Sequence, residues 1–413
     1  MFSKLSSKTS FSDFPPAGFK GKIFRPAGQG YAEACRIPNV RGGNRLALIA
    51  RCFDADDVVL AVKYCDMHNQ PLAVRSGGHG IDGYAMPKNA FVIDTTLMKK
   101  IEVDPVTGIT TVAAGVILGE MDAATQEHGY VVPAGTVSET GVAGLTLGGD
   151  FGYLTRRFGL TVDNLLSVNV MTVDGQKLMA SETENPELFW GLCGAGHNLA
   201  IATSFTYQAQ KIVPQVMSGY IIYRIEDAVA ILSEMDKIMR AAPLELSVYP
   251  VVLPAPPLPG LPEQMVNFPL LVLIIVFTGE PPKYEEAMTG IRGLGDALVD
   301  MVHHCSWLEA NSLLDVLAPP GRRQHSRGGY LKAITPTVAA TVADRIRTAP
   351  APTVDGPSVA VALHCLGGAM HEHSEESKAF SRENASWMVE AFGQWVGREK
   401  DVEFVGWIDG ITP

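Results

Sequence analysis

The residues with the clearest capacity for chemistry are Arg75-Ser76-Gly77-Gly78-His79-Gly80, a run that leaves a predicted strand through consecutive glycines and reaches a histidine. Consecutive glycines let successive backbone N–H groups turn toward one anion, which makes a pyrophosphate cradle without a lysine. His79 stands at its edge; a histidine there also has a plainer use, bonding to its own turn. A second run, Gly141-Val142-Ala143-Gly144-Leu145-Thr146-Leu147-Gly148-Gly149-Asp150-Phe151-Gly152, continues to Gly159 and offers a glycine-lined surface broad enough for a dinucleotide. Its plainer reading is a set of tight turns in compact β structure. Neither run fits the G-x-G-x-x-G turn of a nicotinamide-binding unit or the lysine-containing loop of a nucleotide triphosphatase.

The elements that must position these runs begin with a predicted strand at Leu46 to Cys52, a helix capped by Asp54 and running to about His68, and a strand at Pro71 to Arg75. Short strands follow at Phe91 to Asp94 and Thr110 to Ala114, then a helix at Leu118 to Glu127 and a turn-rich stretch at Gly129 to Gly135. Ser167 to Thr172 and Gln176 to Met179 bracket Asp174-Gly175, which suits a tight hairpin. Helix and strand resume over Glu187 to Tyr207. Composition shifts near Val213, which divides the chain into residues 1–212 and 213–413. The second part contains helical stretches at Glu226 to Arg240 and Lys283 to Leu294, a proline-rich loop at Pro250 to Pro262, an apolar strand at Phe268 to Phe277, a strand at Ser358 to Leu366 and a helix at Ala379 to Val396. That mixture predicts an α+β fold whose second part is an antiparallel sheet covered by helices.

Composition narrows the function classes. At 413 residues, 46% hydrophobic and 19% charged, the chain has the make-up of an ordinary globular protein with a sizeable core. A net charge of -11 without a basic cluster argues against nucleic acid as a partner. Met1 to Pro16 lacks a secretory apolar stretch and the longest apolar run is too short for a bilayer, so no membrane association and cytoplasmic residence are expected. Cys35, Cys52, Cys65, Cys193, Cys305 and Cys365 show no close paired spacing, so neither a metal site nor a disulfide framework is expected.

The two glycine runs, together with Leu192-Cys193-Gly194-Ala195-Gly196-His197-Asn198-Leu199-Ala200-Ile201-Ala202-Thr203-Ser204-Phe205, resemble the FAD-binding domain of the vanillyl-alcohol oxidase superfamily, PCMH-type, and within it the berberine bridge enzyme-like branch. The branch pattern reads R-(S/G)-G-G-H, then T-G-V-A-G-L-T-L-G-G-G-x-G-W-L-x-R-x-x-G-L-x-x-D-N, then L-x-G-G-G-G-N-F-G-V-V-T-S-F. All three occur here in order, and His364-Cys365-Leu366-Gly367-Gly368-Ala369 resembles that branch's substrate domain.

The resemblance implies a two-part FAD-binding domain followed by a substrate domain, and an oxidase that passes a hydride from a small organic substrate, an alcohol, amine or secondary metabolite, to FAD and is reoxidised by O2. It implies cofactor contacts from Arg75, Ser76, Gly77, Gly78, His79, Gly80, Thr140, Gly141, Val142, Gly144, Gly148, Gly149, Gly152, Tyr153, Asn198 and Ile201. His79 matches the histidine such enzymes bond to the flavin's 8α-methyl carbon. Val137 stands where many relatives have a second linking cysteine, so a single covalent link is implied.

Several positions depart from the pattern. Asp150 replaces the third consecutive glycine, and its charge is expected either to point to solvent or to be neutralised by Arg156 or Arg157. Cys193 replaces an arginine, and Ala195, His197 and Ala200 replace glycines. Relatives continue past the position of Pro413 through a strand and helix that often bring the catalytic base, so the second domain is expected to lack that return segment and Tyr153, Tyr84 and His364 become the candidates for the base. Two competing functions go with these departures: a cyclase or binding protein that has lost its flavin, and a dehydrogenase that uses an acceptor other than oxygen.

Overall fold

The computed structural model describes residues 11, 13–42, 48–317, 319–353 and 358–411. The opening α/β rhythm forms a sheet in which Leu48–Arg51, Phe91–Asp94 and Leu72–Arg75 are parallel neighbours, with Lys22–Phe24 antiparallel at the edge. Helix Ala55–Met67 makes the crossover. It starts where expected because the Asp54 carboxylate accepts from the N–H groups of Asp56 and Asp57 at 3.0 and 3.1 Å. Leu46 and Ala47 of the expected first strand lie outside the described residues.

A second, antiparallel sheet follows in the order Ile101–Val103, Ile109–Ala113, Ile201–Gln208, Leu165–Met171 and Lys177–Ser181. Its last hairpin is looser than expected. Asp174-Gly175 lies in a five-residue connection, Thr172 to Gln176, closed by Thr172 N donating to the Gln176 carbonyl at 3.0 Å, with Gly175 at φ +81°.

From Val216 a single antiparallel sheet takes over. Its order is Val299–Asp300, Val216–Arg224, Pro269–Phe277, Leu246–Pro254, Val359–Cys365, Trp387–Trp395 and Arg323–Leu331, with His303–Cys305 also paired to Val216–Arg224. Strand alternation sends Trp387 and Trp395 to the outer face. There Trp387 donates to Asp236 of helix Ala228–Ala241 at 3.0 Å, and the Trp395 ring stacks 4.9 Å from Phe404 of helix Asp401–Asp409. The inner face carries a row set by register: Tyr249 opposite Ile274, His364 opposite Met388, and Tyr330 opposite Met388. That face turns toward the glycine run, since the Tyr249 ring lies 5.0 Å from the Tyr153 ring.

Two expectations for this part are corrected. Ala379 to Val396 is not a helix: Glu383 and Asn384 adopt left-handed backbone, both at φ +49°, and Trp387–Trp395 becomes a strand paired on both sides. Left-handed residues cannot continue a right-handed helix, and the aromatic and apolar residues beyond them suit a doubly paired strand. The proline-rich loop begins later than expected, because Pro250 and Pro254 belong to strand Leu246–Pro254. Prolines are tolerated there because pairing with Val359–Cys365 is confined to Val251 and Val252.

Candidate active site

Strand Leu72–Arg75 delivers the first glycine loop, and its flanks are fixed to scaffold. The Arg75 guanidinium donates to the carbonyls of Ala34 and Arg36 at 2.5 and 2.9 Å, and the Ser76 hydroxyl donates to the Ala114 carbonyl at 2.7 Å. Beyond them, the backbone N–H groups of Gly77, Gly78, His79 and Gly80 find no acceptor among the described residues. Gly78 requires its residue type, with φ +75° and the Ile37 side chain 2.9 Å from where a Cβ would stand.

The second loop is tied down by Leu118 N donating to the Thr140 carbonyl and Val142 N to the Val116 carbonyl, both at 2.9 Å. Helix Val142–Leu147 opens without a side-chain cap, and the N–H groups of Gly141, Ala143 and Gly144 also lack an acceptor among the described residues. The two loops touch backbone to backbone: a Cβ on Gly77 would overlap Gly141 N, and a Cβ on Gly141 would overlap Gly77 N. Two sets of unpaired donors are thereby brought side by side. That donor set suits the pyrophosphate of a dinucleotide, which accepts several N–H bonds and needs no countercharge from a side chain.

Other glycines of the second run have packing duties. Gly149, at φ +97°, lies under the Phe380 ring, and Gly152 is pressed against the Ala134 carbonyl. Gly148 faces His197, whose Nε2 is 2.9 Å from the Gly144 carbonyl and so holds the turn containing Asn198 against helix Val142–Leu147. Ile201 begins the strand paired to Leu165–Met171.

His79 is half-buried. Burial depresses its pKa, partly opposed by the Asp315 carboxylate, so the imidazole is neutral at neutral pH, the form that can act as a nucleophile. Asp315 is itself anchored by Ser138, whose N–H and hydroxyl donate to it at 2.8 and 2.5 Å.

Tyr153 and His364 meet through Tyr249, with ring centroids 5.0 Å apart for Tyr153–Tyr249 and 4.8 Å for Tyr249–His364; the Phe151 ring lies 5.4 Å from His364. Tyr84 is elsewhere, 79% exposed on the loop after His79. The hydroxyls of Tyr153 and Tyr249 are buried without a partner among the described residues, and burial pushes both phenols far up, which disfavours the phenolate a base would need. A carboxylate completes the cluster. Glu390 Oε2 lies 3.5 Å from His364 Nε2, and Ser326 donates to Oε1 at 2.5 Å. Burial raises the Glu390 pKa, but His364 and Ser326 more than offset this and hold it below the ordinary glutamate value. Sequence reading missed Tyr249 and Glu390, because register alone brings 249, 364 and 390 together.

Asp150 is not neutralised by the expected arginines. Arg156 donates to the carbonyls of Met239, Ala242, Pro243 and Leu246, and Arg157 to Thr278. Asp150 instead takes the left-handed backbone, φ +55°, that a glycine would otherwise supply, and aspartate is among the residues that tolerate it. Its carboxyl turns inward to accept from the Thr161 hydroxyl at 3.2 Å. Burial dominates and raises its pKa to about 7, with hydrogen bonds from Phe151, Thr161 and Gly135 opposing.

A family described as FAD binding domain matches residues 46–181. (R)-6-hydroxynicotine oxidase from Paenarthrobacter nicotinovorans is 30% identical over 301 residues, 72% of this chain and 64% of that relative. An FAD-linked oxidoreductase from Dictyostelium discoideum is 26% identical over 376 residues, covering 90% and 78%. The solved structure of 6-hydroxy-D-nicotine oxidase from Arthrobacter nicotinovorans superposes with TM-score 0.85 at 23% identity over 96% of this chain and 85% of that one, and berberine bridge enzyme-like 1 of Physcomitrella patens with 0.84 at 18% over 96% and 86%. Residues 46–181 are an FAD binding domain, and the chain shares the fold of these two solved structures. Both glycine loops lie within the matched residues 46–181, which end before the large antiparallel sheet that starts at Val216.

In this FAD binding domain the buried Asp150 has a pH signature. Its folded-state pKa is raised from 3.8 to about 7, so its favourable contribution is full below the unfolded value and is lost as pH rises from about 4 through about 7. Asp150→Asn mimics the protonated acid and tolerates the same backbone. It should raise stability at pH 8 by roughly 1–3 kcal/mol and leave pH 4 nearly unchanged. Urea unfolding at both pH values checks this; equal effects at the two would refute it.

Proposed function

We propose that this protein is an FAD-dependent oxidase, its cofactor held by the Gly77–Gly80 and Gly141–Gly144 loops and linked once, through His79. The observation that supports this most is the adjoining set of unpaired N–H groups beside a neutral imidazole. The inner sheet face beside Phe151, which carries His364 and Glu390, is the proposed place for a small organic substrate. FAD, when bound, supplies a two-electron acceptor for a substrate hydride, and O2 is the proposed final acceptor. The protein's own part is to orient the substrate against Phe151 and His364, to exclude water with the buried Tyr153–Tyr249 pair, and to accept the substrate's N–H or O–H proton at His364, which Glu390 positions. The inward turn of Asp150 favours this reading over a flavin-free protein, because the carboxyl that would have repelled a pyrophosphate is enclosed and bonded to Thr161.

The test is acid precipitation of the purified protein beside His79→Ala. Yellow colour should stay in the wild-type pellet and be absent from the variant's. Flavin released into the wild-type supernatant would retire the covalent link alone, whereas protein without flavin after expression with added FAD would retire the whole reading.

A further inference from the structure

One segment of the second half reaches across to the FAD binding domain beside His79. Helix Trp307–Asn311 docks there on Asp122, whose carboxylate accepts from Trp307 Nε1 at 3.0 Å and from Asn311 Nδ2 at 2.8 Å. The chain then turns and brings Asp315 to Ser138, whose N–H and hydroxyl donate one to each carboxylate oxygen. Ser138 is held in turn by Gly119 N, which donates to its carbonyl at 2.9 Å. Two residues later Thr140 leads into Gly141, whose backbone meets that of Gly77, and His79 follows two residues after Gly77. Asp315 thus stands beside the junction of the two glycine loops, and no lysine or arginine pairs with it among the described residues.

Its field reaches the His79 imidazole, where it opposes the effect of burial, and the Tyr153 phenol. The other charged groups around His79 are engaged or directed to water. Arg75 is turned to the Ala34 and Arg36 carbonyls, Glu120 is paired with Lys99 and Glu309 with His303, and Asp82, Lys88 and Glu139 are exposed. A carboxylate with no cation of its own, fixed near an imidazole that is to become cationic, is suited to stabilising that cation. We propose that Asp315 is a positioning residue for the covalent attachment of FAD, its charge steadying His79 while that side chain bonds to the flavin's 8α-methyl carbon. This rests on the single-link reading above.

Attachment is an oxidation. The 8α-methyl carbon loses a C–H bond, giving up a proton and an electron pair; one imidazole nitrogen supplies the pair of the new C–N bond; the proton on the other imidazole nitrogen then departs. The displaced pair and the two protons reduce O2 to hydrogen peroxide. Between bond formation and loss of that last proton His79 is an imidazolium, and this is the charge that Asp315 opposes. Because Asp315 comes from the second half, attachment is tied to correct docking of the two halves. The step needs the neutral imidazole for its lone pair, so its rate falls on the acid side as His79 protonates. Removing the Asp315 charge takes away the influence that holds the His79 pKa up, so the acid limb of the profile moves to lower pH, and the plateau falls because the imidazolium is less stable.

The experiment mixes full-length protein made without flavin with FAD in air, between about pH 5 and pH 8, and follows the colour retained in the acid-precipitated pellet. Asp315→Asn keeps an acceptor for Ser138 N and removes only the charge. It should link FAD at least about tenfold more slowly on the plateau, with its acid limb at lower pH, while binding FAD non-covalently as well as wild type does by ultrafiltration. Asp315→Glu should recover most of the rate. Ser138→Ala, which loosens the anchor and leaves the charge, should keep the wild-type acid limb. Asp122 titrates at about 6 in all of these proteins, so the differences between profiles are what is read. Asp315→Asn protein that links FAD at the wild-type rate, that is slower with an unmoved acid limb, or that fails to bind FAD at all overturns the inference. Wild-type protein that binds FAD but releases all of it on acid treatment overturns the single-link reading, and wild-type protein that takes up no FAD overturns the oxidase reading.

Discussion

Alanine at Gly77 or at Gly141 should cost the protein its FAD. In each case the new methyl group would fall on backbone of the opposite loop, Gly141 N in the first and Gly77 N in the second, and backbone cannot rotate aside as the end of a side chain can. Forced overpacking of this kind costs about 1–3 kcal/mol or more. Relief requires the loops to separate, which divides the donor set formed by Gly77, Gly78, His79, Gly80, Gly141, Ala143 and Gly144. Flavin per protein, from absorbance after gel filtration, should fall at least about tenfold in either variant, with a lowered melting temperature. Gly80→Ala is the control: a Cβ there meets nothing within 4 Å, so stability should be unchanged. Full flavin occupancy in Gly77→Ala or Gly141→Ala would show that the contact between the loops does not hold the cofactor site together.

Much of this site was legible in the sequence because its determinants are local. A glycine pair after a strand, a histidine at the next position and a glycine at a helix start speak through backbone freedom and unpaired N–H groups, which depend on a few consecutive residues. The same logic found Asp54 as a cap and placed strand Phe91–Asp94 residue for residue. What stayed hidden depends on register between distant strands. Tyr249, His364 and Glu390 share a face because Leu246–Pro254, Val359–Cys365 and Trp387–Trp395 are neighbours with one alignment, and no short window contains that fact. The reading of Ala379 to Val396 as a helix failed for a related reason: pairing on both sides sets its state, and the two left-handed residues that block a helix, Glu383 and Asn384, are not glycines.

Glycine itself was ambiguous in a way that packing resolves. Gly77, Gly78 and Gly141 leave their N–H groups without an acceptor among the described residues, whereas Gly149 and Gly152 make room for Phe380 and the Ala134 carbonyl. A glycine needed by a cofactor and one needed by a neighbouring ring look alike in sequence. Asp150 between them shows that the position requires a left-handed backbone more than it requires the absence of a side chain.

Phe380 reaches its place through a segment that joins the two halves of the protein, and breaking its anchor should be the most destabilising single change. Arg382 meets Asp163 through two bonds, 2.5 and 3.0 Å, with side chains 2% and 1% exposed. Asp163 is the acid of the sequence's Asp163-Asn164 motif, and its carboxylate also accepts from Leu160 N at 2.8 Å. Its partner follows the stretch in which Phe380 N donates to the Cys193 carbonyl at 3.0 Å and Ala379 N to the Trp190 carbonyl at 3.2 Å. The motif acid thus fastens the strand-to-strand connection of the second half onto the cofactor half and keeps Phe380 seated on Gly149. Removing one member of a buried pair strands the other's charge, at a cost of about 3–5 kcal/mol, while replacing both by uncharged groups of similar size is far milder. Arg382→Met and Asp163→Asn should each lower the urea midpoint by that amount of stability, and the double variant should be more stable than either single one. A loss below about 1 kcal/mol in both single variants, or simple additivity in the double, would mean the two halves are held by their apolar contacts and that this pair is incidental.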